Sequence, residues 1–201
     1  MFVLASTSPW QLALLRQIAI VPMAVDPTIL NERPHWNERP ASYVVRLARE
    51  RAAVVAEQHV GLHVLAANTV VSCGRRLLSK TETIDDARRC LDLLSGRRHR
   101  VYGGICLRTP QGRSAVRVVA TIVTFKRLDD HERRAYLAAG EWHGQVGGYA
   151  IQGEAAAFVR FITGSYSNVV GLPLYETATL LKGAGLWDLS PWRHTVQVAP
   201  L

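Results

Sequence analysis

The chain has 201 residues, of which 48% are hydrophobic and 20% charged, a composition typical of one soluble globular domain with a sizeable core. No apolar run approaches the roughly 18 residues that a membrane-spanning helix needs. The N-terminal segment lacks the basic residues of a signal peptide, so a cytoplasmic location is expected. The net charge of +8 is compatible with nucleic acid, a membrane surface or a phosphorylated small molecule as the partner.

The pattern of residues argues against two further classes, nucleic-acid-binding proteins and proteins built around zinc sites or disulfides. Basic residues are scattered except in Arg97-Arg98-His99-Arg100, and no zinc finger, RNA-recognition signature or basic zipper is present, which argues against nucleic acid. An RNA contact of that basic run is retained as a minor alternative. The cysteines Cys73, Cys90 and Cys106 match no zinc spacing, and their odd number argues against disulfides, so reduced thiols are expected.

The first element is a short buried strand at residues 2–5, followed by the turn Ser6-Thr7-Ser8-Pro9 and a helix. A strand, a hydroxyl-rich turn and a helix start place backbone N–H groups where anions bind. Alternatively, Ser8 caps the helix, with Pro9 at its first position. The two interpretations are compatible.

The polar, proline-punctuated residues 24–39 predict a loop. Helices and strands then alternate along the chain. In order, they are a helix from Pro40 to near Gln58, a strand at 63–72, a helix capped by Thr83 and Asp86 that stops at Ser95-Gly96, strands at 101–108 and 116–125, a helix capped by Asp129 and Glu132, a glycine-rich loop at 144–153, a strand at 156–162, and a helix from Gly171 to near Gly183. This order predicts an α/β fold with a mixed sheet, in one domain over residues 1–186 followed by a tail at 187–201.

Four segments carry a more specific signal. They are residues 4–9 with Leu14-Leu15, residues 67–71, residues 94–99, and residues 147–153 with 164–173. Each is weak alone, but together and in this order they resemble the Maf family. The resemblance implies a fold like that of the inosine triphosphate pyrophosphatases: a mixed sheet with flanking helices and two lobes around a cleft, often in a homodimer.

The same resemblance implies an activity. Maf-like enzymes hydrolyse nucleoside triphosphates to monophosphate and pyrophosphate with Mg²⁺ or Mn²⁺, some preferring dTTP and UTP and others 7-methyl-GTP. Modified nucleotides are suspected targets, and some members are linked to septum formation. Such chemistry must offset the charge of a triphosphate, orient a metal and accept a proton, so it requires cations and carboxylates.

The catalytic aspartate of the family falls on Asn68 in this chain. Asparagine ligates Mg²⁺ weakly and cannot act as a base near neutral pH. Loss of a general base typically costs about 10²–10⁴ in rate. In isolation, Asn68 also fits a turn residue at a strand end.

Other charged positions of the family are altered as well. An arginine is replaced by Gln11, the lysine of the glycine-rich loop by Gln145, and an acidic pair is reduced to Asn31-Glu32. Arg51 stands where a lysine is common, which keeps the charge but changes its reach.

Several positions of the family pattern are retained: Ser6, Ser8, Glu32, Thr69, Lys80, Gln152 and Ser165. The resemblance assigns Glu32 and Asn68 to the metal, Lys80 and Arg51 to the phosphates, and Thr69 and Gln152 to the base. Lys80 and Glu32 fit ordinary surface side chains as well.

Trp10 carries a conflicting signal about the base. The 7-methyl-GTP subgroup has tryptophan here, where an indole stacks well on a cationic purine, yet Gln152 and its loop resemble the pyrimidine subgroup. Simple packing against the first helix is the alternative. The sequence thus predicts a Maf-like pyrophosphatase with altered or reduced activity, or a catalytically inactive nucleotide-binding or regulatory protein on the same fold.

Overall fold

The computed structural model describes residues 1–188. The strands are β1 (Phe2–Ala5), β2 (Ala24–Asp26), β3 (His63–Cys73), β4 (Arg76–Leu78), β5 (Arg98–Arg108), β6 (Ser114–Phe125) and β7 (Val159–Thr163). The helices are α1 (Pro9–Gln17), α2 (Pro40–Gln58), α3 (Ile84–Leu94), α4 (Asp130–Ala139), α5 (Tyr166–Val170) and α6 (Leu174–Gly183). The expected α/β architecture is confirmed. No helix in this part of the chain combines the length and hydropathy required to span a membrane.

One sheet of seven strands runs in the order β2-β1-β3-β5-β6-β7, with β4 pairing with β3 outside this path. β1 is parallel to both β2 and β3, whereas β3, β5, β6 and β7 form antiparallel pairs. The sheet is therefore mixed, as predicted.

A gap in strand pairing lies on one edge of β3. The parallel pairing with β1 ends at Ala5 opposite Ala66, and the antiparallel pairing with β4 begins at Val71 opposite Leu78. In the described part of the chain, no strand pairs with residues 67–70 on this edge, although β5 pairs along the other edge from Val64 to Ser72. The sheet is thus continuous on one side of β3 and open on the other.

The apolar core forms four clusters: three contact β3 on one side of this gap or the other, and the fourth joins α2 to Val70 within it. One cluster includes Phe125, Tyr136, Tyr149 and Phe158 and joins α3 and α4 to the carboxyl end of β3. Two other clusters join β1, α1, α2 and α6 to the amino end of β3. The result is two lobes around a cleft. β3 and β5 connect the lobes, because both strands supply side chains to clusters on each side of the gap.

Both predicted capping boxes are present. Thr83 and Asp86 satisfy each other's backbone N–H groups at the start of α3, and Asp129 and Glu132 do the same for α4. Ser8 occupies the N-cap position of α1 with Pro9 next, but its side chain makes no capping hydrogen bond. Instead, its backbone N–H donates to Ser6 Oγ at 2.9 Å.

Four expectations for secondary structure were wrong in part. Residues 24–39 were expected as a loop throughout, but β2 forms at their start because β1 offers it a parallel partner. Residues 156–162 were expected as a strand, but Glu154–Phe158 forms a 3₁₀-helix and β7 begins only at Val159. The last helix begins at Leu174, after the separate short α5. β5 begins at Arg98 and so takes in most of the basic run. Of the predicted tail, residues 189–201 lie outside the described residues.

Helix α2 packs unusually close to the sheet at Gly104. A Cβ atom at this position would lie 2.6 Å from both the carbonyl carbon and oxygen of Val44. Val44 and Leu47 are fully buried in this contact region. The glycine in β5 therefore sets the distance at which α2, and the side chains it carries, sit above the strands.

We expect Gly104→Ala to lower the free energy of unfolding by about 1–3 kcal/mol, because the added methyl group forces backbone to move. Urea unfolding followed by circular dichroism measures it. Gly183→Ala is the matched control, since a Cβ there meets nothing within 4 Å among residues 1–188. Equal stabilities of the two variants would contradict the close approach.

His99 lies at the centre of an aromatic cluster in the lobe that carries α3. It is 2% exposed, its Nε2 shares a hydrogen bond of 2.8 Å with the Tyr149 hydroxyl, and its ring meets Phe125 edge-on with 5.1 Å between centroids. Burial lowers the pKa of His99 to about 4. The three cysteines are also buried, as free thiols.

The lowered pKa of His99 makes the fold sensitive to acid. The unfolded chain takes up this proton near pH 6.5 and the folded chain only near 4, so stability falls as the pH drops through this window. Between pH 7.5 and 5 we expect a loss of about 2 kcal/mol from this group. Urea unfolding at both pH values measures this loss of stability. We expect the loss to shrink by about 2 kcal/mol in His99→Gln. It should not shrink in His131→Gln, the control at an exposed position. An unchanged pH dependence in His99→Gln would refute the assignment.

Candidate active site

A cavity of about 670 Å³ opens at the gap in β3, between the end of β1 and the start of β4. All predicted site residues except Ser6 and Ser165 line it. They are Ser8, Trp10, Gln11, Glu32, Arg51, Asn68, Thr69, Lys80, Gln145 and Gln152. The structure therefore brings together residues that are up to 144 positions apart, from Ser8 to Gln152.

The charged centre of the cleft is a cluster of three side chains. Arg51, only 5% exposed on α2, donates through Nη2 to Glu32 Oε1. Lys80 Nζ lies 3.7 Å from Glu32 Oε2, and its side chain is 48% exposed. Each carboxylate oxygen thus faces one cation, and the buried guanidinium has the counter-charge that burial requires.

The segment that carries Glu32 is fastened to α2 by two further contacts. The Tyr43 hydroxyl donates to the Glu32 carbonyl oxygen at 2.7 Å. Arg46 donates to both carboxylate oxygens of Glu38, at 2.7 and 2.8 Å, and to the Arg33 carbonyl oxygen at 3.2 Å. The Arg46 hydrogen bonds lower the pKa of Glu38 to about 2, so this fastening persists in acid.

Asn68 and Thr69 lie in the stretch of β3 that pairs with β5 on one edge and is open to the cleft on the other. Asn68 is 8% exposed and lines the cavity. The Thr69 hydroxyl is buried and has no hydrogen-bond partner within residues 1–188. Both side chains therefore offer polar atoms to a ligand in the cavity.

The N-terminus of α1 forms the adjacent wall, with Ser8, Pro9 and Trp10 lining the cavity. Trp10 is exposed at this wall. Gln11 is buried and donates through Nε2 to the Gly171 carbonyl oxygen at 3.1 Å, which ties α1 to the segment before α6. The predicted anion site at the start of this helix therefore faces the cleft.

The glycine-rich loop forms the opposite wall and is bound to the segment that carries Lys80. Gly147 N–H donates to the Ser79 carbonyl at 3.0 Å, and Gly144 N–H donates to the Thr81 carbonyl at 2.8 Å. Gly147 adopts φ +76°, and a Cβ there would lie 3.1 Å from Val71, so the tight turn requires glycine. The loop thereby places Gln145 next to Lys80.

Two predicted site residues lie outside the cavity lining. Ser6 is buried, and its hydroxyl accepts the Ser8 N–H bond that shapes the turn before α1. Ser165 caps α5, where its hydroxyl accepts from the Asn168 N–H at 3.2 Å. In this structure both shape the walls and do not line the cavity.

Several cavity residues were not predicted from the sequence. Tyr43, Glu82, His143 and Tyr149 all line it. Tyr43 and Glu82 carried no signal, because nothing local shows that the proline-rich loop folds back over α2 or that β4 turns into the cleft. Tyr149 belongs to the glycine-rich motif, which was its only available signal.

The residues present do not by themselves fit a resident Mg²⁺ ion. Among residues 1–188, no group of three His, Cys, Asp or Glu side chains is placed to hold a metal. Both oxygens of Glu32 face cations, and Asn68 offers only an amide oxygen. Mg²⁺ in nucleotide sites is held by carboxylates together with substrate phosphates, so the expected assignment of Glu32 and Asn68 to the metal has little support in this donor set.

Comparison with known proteins supports the family resemblance that the motifs carry. Residues 1–184 match the family model described as Maf-like protein. This chain belongs to the Maf-like protein family. It is 60% identical over 183 residues to a dTTP/UTP pyrophosphatase of Paramagnetospirillum magneticum, covering 91% of this chain and 96% of that protein. It is 55% identical over 183 residues to a dTTP/UTP pyrophosphatase of Rhodospirillum rubrum, covering 91% and 87%.

The fold is also similar to a solved structure, a HAM1 protein from Coxiella burnetii. The TM-score is 0.50 at 15% sequence identity, and the match covers 90% of this chain and 98% of that chain. At this identity the likeness concerns the fold alone. It agrees with the architecture that the Maf resemblance implied.

The ion pair between Arg51 and Glu32 predicts that removing the charge of Glu32 destabilises the fold more than removing the charge of another carboxylate in the cavity. We expect Glu32→Gln to lower the free energy of unfolding by about 1–3 kcal/mol, because the buried Arg51 loses its counter-charge. Glu82→Gln, in the same cavity but exposed, should change it little. Urea unfolding measures both, and an equal effect of the two substitutions would contradict the pairing.

Proposed function

We propose that this chain is a nucleoside triphosphate pyrophosphatase of reduced activity. The observation that carries the proposal is the pairing of Arg51 and Lys80 around Glu32 in a cleft that also contains Asn68. The names of the relatives, which are 50–60% identical, support the reaction class. The homodimer that the resemblance implied and the cytoplasmic location expected from the N-terminal segment are part of this proposal.

The triphosphate lies, in this proposal, between the start of α1 and Lys80. Lys80 is half-exposed and free to turn toward phosphate oxygens, whereas Arg51 is fixed by its pairing with Glu32. Backbone N–H groups at the start of α1 add a favourable field for anions. Arg51 thus acts as a fixed charge and Lys80 as an adjustable one.

For the base, we propose a pyrimidine. The relatives are dTTP/UTP pyrophosphatases, and Gln152 and Thr69 present donors and acceptors to the cavity. Trp10 lies exposed at the cavity wall and offers a stacking face without dictating the base.

In the reaction, the oxygen of water forms a bond to the α-phosphorus, and the bond from that phosphorus to the bridging oxygen breaks. Pyrophosphate leaves, and the water proton must pass to a base. Asn68 cannot take it. Glu32 takes it in this proposal, but both of its oxygens already face cations, so one ion pair must open before the carboxylate can reach the water. Slow turnover follows from this arrangement.

The same observation favours a second candidate, a nucleotide-binding protein without turnover. If Glu32 serves only to neutralise Arg51, the cleft retains its cations and its helix start but has no base. Binding of an anionic ligand would survive, because an asparagine at position 68 repels phosphate less than an aspartate does.

Asn68→Asp separates the two candidates. If the base alone is missing, the substitution should raise the rate by about 10²–10⁴. The measurement is pyrophosphate release with Mg²⁺ or Mn²⁺ from dTTP, UTP, CTP, 7-methyl-GTP and pseudouridine triphosphate. Asn37→Asp is the control, because it adds the same charge at an exposed position outside the cavity lining.

The outcomes are distinct. Turnover by the natural chain, increased in Asn68→Asp only, supports the enzyme. No turnover by the natural chain, with thermal stabilisation by one nucleotide, supports the binding protein, whether or not Asn68→Asp gains activity. Neither turnover nor stabilisation with any nucleotide would refute both candidates.

A further inference from the structure

The balance of charges in the cleft carries an inference about the form of the ligand, and it rests on the proposed function. We propose that this cleft binds nucleoside triphosphate free of a divalent cation, and that Asn68 is the residue that removes the need for one. The metal would thus be dispensable for recognition of the ligand.

The first argument is the charge of the lining. Among the described residues that line the cavity, the Asp, Glu, Lys and Arg side chains are Glu32, Arg51, Lys80 and Glu82. Two cations and two carboxylates balance formally. An aspartate at position 68 would leave a net negative lining, which would repel a triphosphate unless a cation lay between them.

The second argument is the position of Asn68. It is 8% exposed, in the stretch of β3 where no strand pairs on the cleft side. A charge so poorly solvated acts strongly on its neighbours, because little water screens it. The neutral amide exerts no such repulsion, and its NH₂ group can donate to a phosphate oxygen.

The third argument is the engagement of Glu32. For this carboxylate to bind Mg²⁺, the ion would have to displace Arg51 or Lys80 from its oxygens. Displacing Arg51 would leave a guanidinium that is 5% exposed without its counter-charge, which is costly. Metal-free phosphate needs no such exchange, since Lys80 alone can turn to it.

The test is ligand affinity in the absence and presence of the metal. The probe is the α,β-imido analogue of UTP, which resists cleavage at the reacting bond, and its Kd is measured by titration calorimetry in EDTA and in excess Mg²⁺. For the natural chain we expect the two Kd values to agree within about threefold, a difference of less than 1 kcal/mol.

Variants at position 68 isolate the charge. Asn68→Asp should bind at least about tenfold more weakly in EDTA and recover in Mg²⁺. Asn68→Ala, neutral but without the amide, should keep the metal independence at somewhat lower affinity. Asn37→Asp, which adds the same charge at an exposed position outside the cavity lining, should behave as the natural chain. Circular dichroism confirms that each variant is folded.

Each outcome has one meaning. Binding by the natural chain only in Mg²⁺ overturns the inference and leaves the proposed function intact. Equal binding of Asn68→Asp and the natural chain in EDTA overturns the role of Asn68. No binding by any variant in either condition refutes the proposed function itself, and the inference with it.

Discussion

The arrangement of the cleft depends on one buried charge, the guanidinium of Arg51. A guanidinium keeps its charge when it is buried, so a side chain that is only 5% exposed is costly without a counter-charge, and Glu32 supplies it. Glu32 lies on a segment without regular structure, so the pairing requires that segment to fold back over α2. Tyr43 and the Arg46–Glu38 pair supply the fastening that makes the fold-back possible. The geometry of the site is therefore a consequence of compensating one charge.

The gap in β3 supplies the other half of the arrangement. A sheet edge that is paired at both ends and open in the middle exposes a few residues on an otherwise rigid strand, here Asn68 and Thr69. Such residues are held by β5 on the other edge and have freedom only in their side chains. Site residues on rigid elements are positioned more accurately than those on loops. An enzyme can therefore change its chemistry at this point by one substitution without disturbing the fold.

Sequence reasoning recovered what is encoded locally. The capping boxes at Thr83 and Asp129 depend on residues three apart, and the helical spacing of α2 is equally local. It failed where a distant partner strand decides the outcome. β2 forms because it pairs with β1, and β4 forms because it pairs with β3. The cleft followed the same division: ten of the residues that the motifs predicted line the cavity, but the pairing of Arg51 with Glu32, 19 residues apart, is visible only in the structure.

The two lobes share two long strands, and this has a consequence for how the molecule unfolds. β3 and β5, each of 11 residues, run from one core cluster into the other without interruption. A lobe that melted alone would have to release half of a strand whose other half stayed paired. The backbone amides shared by these strands should therefore exchange with solvent only in global opening events, so that the lobes behave as one cooperative unit.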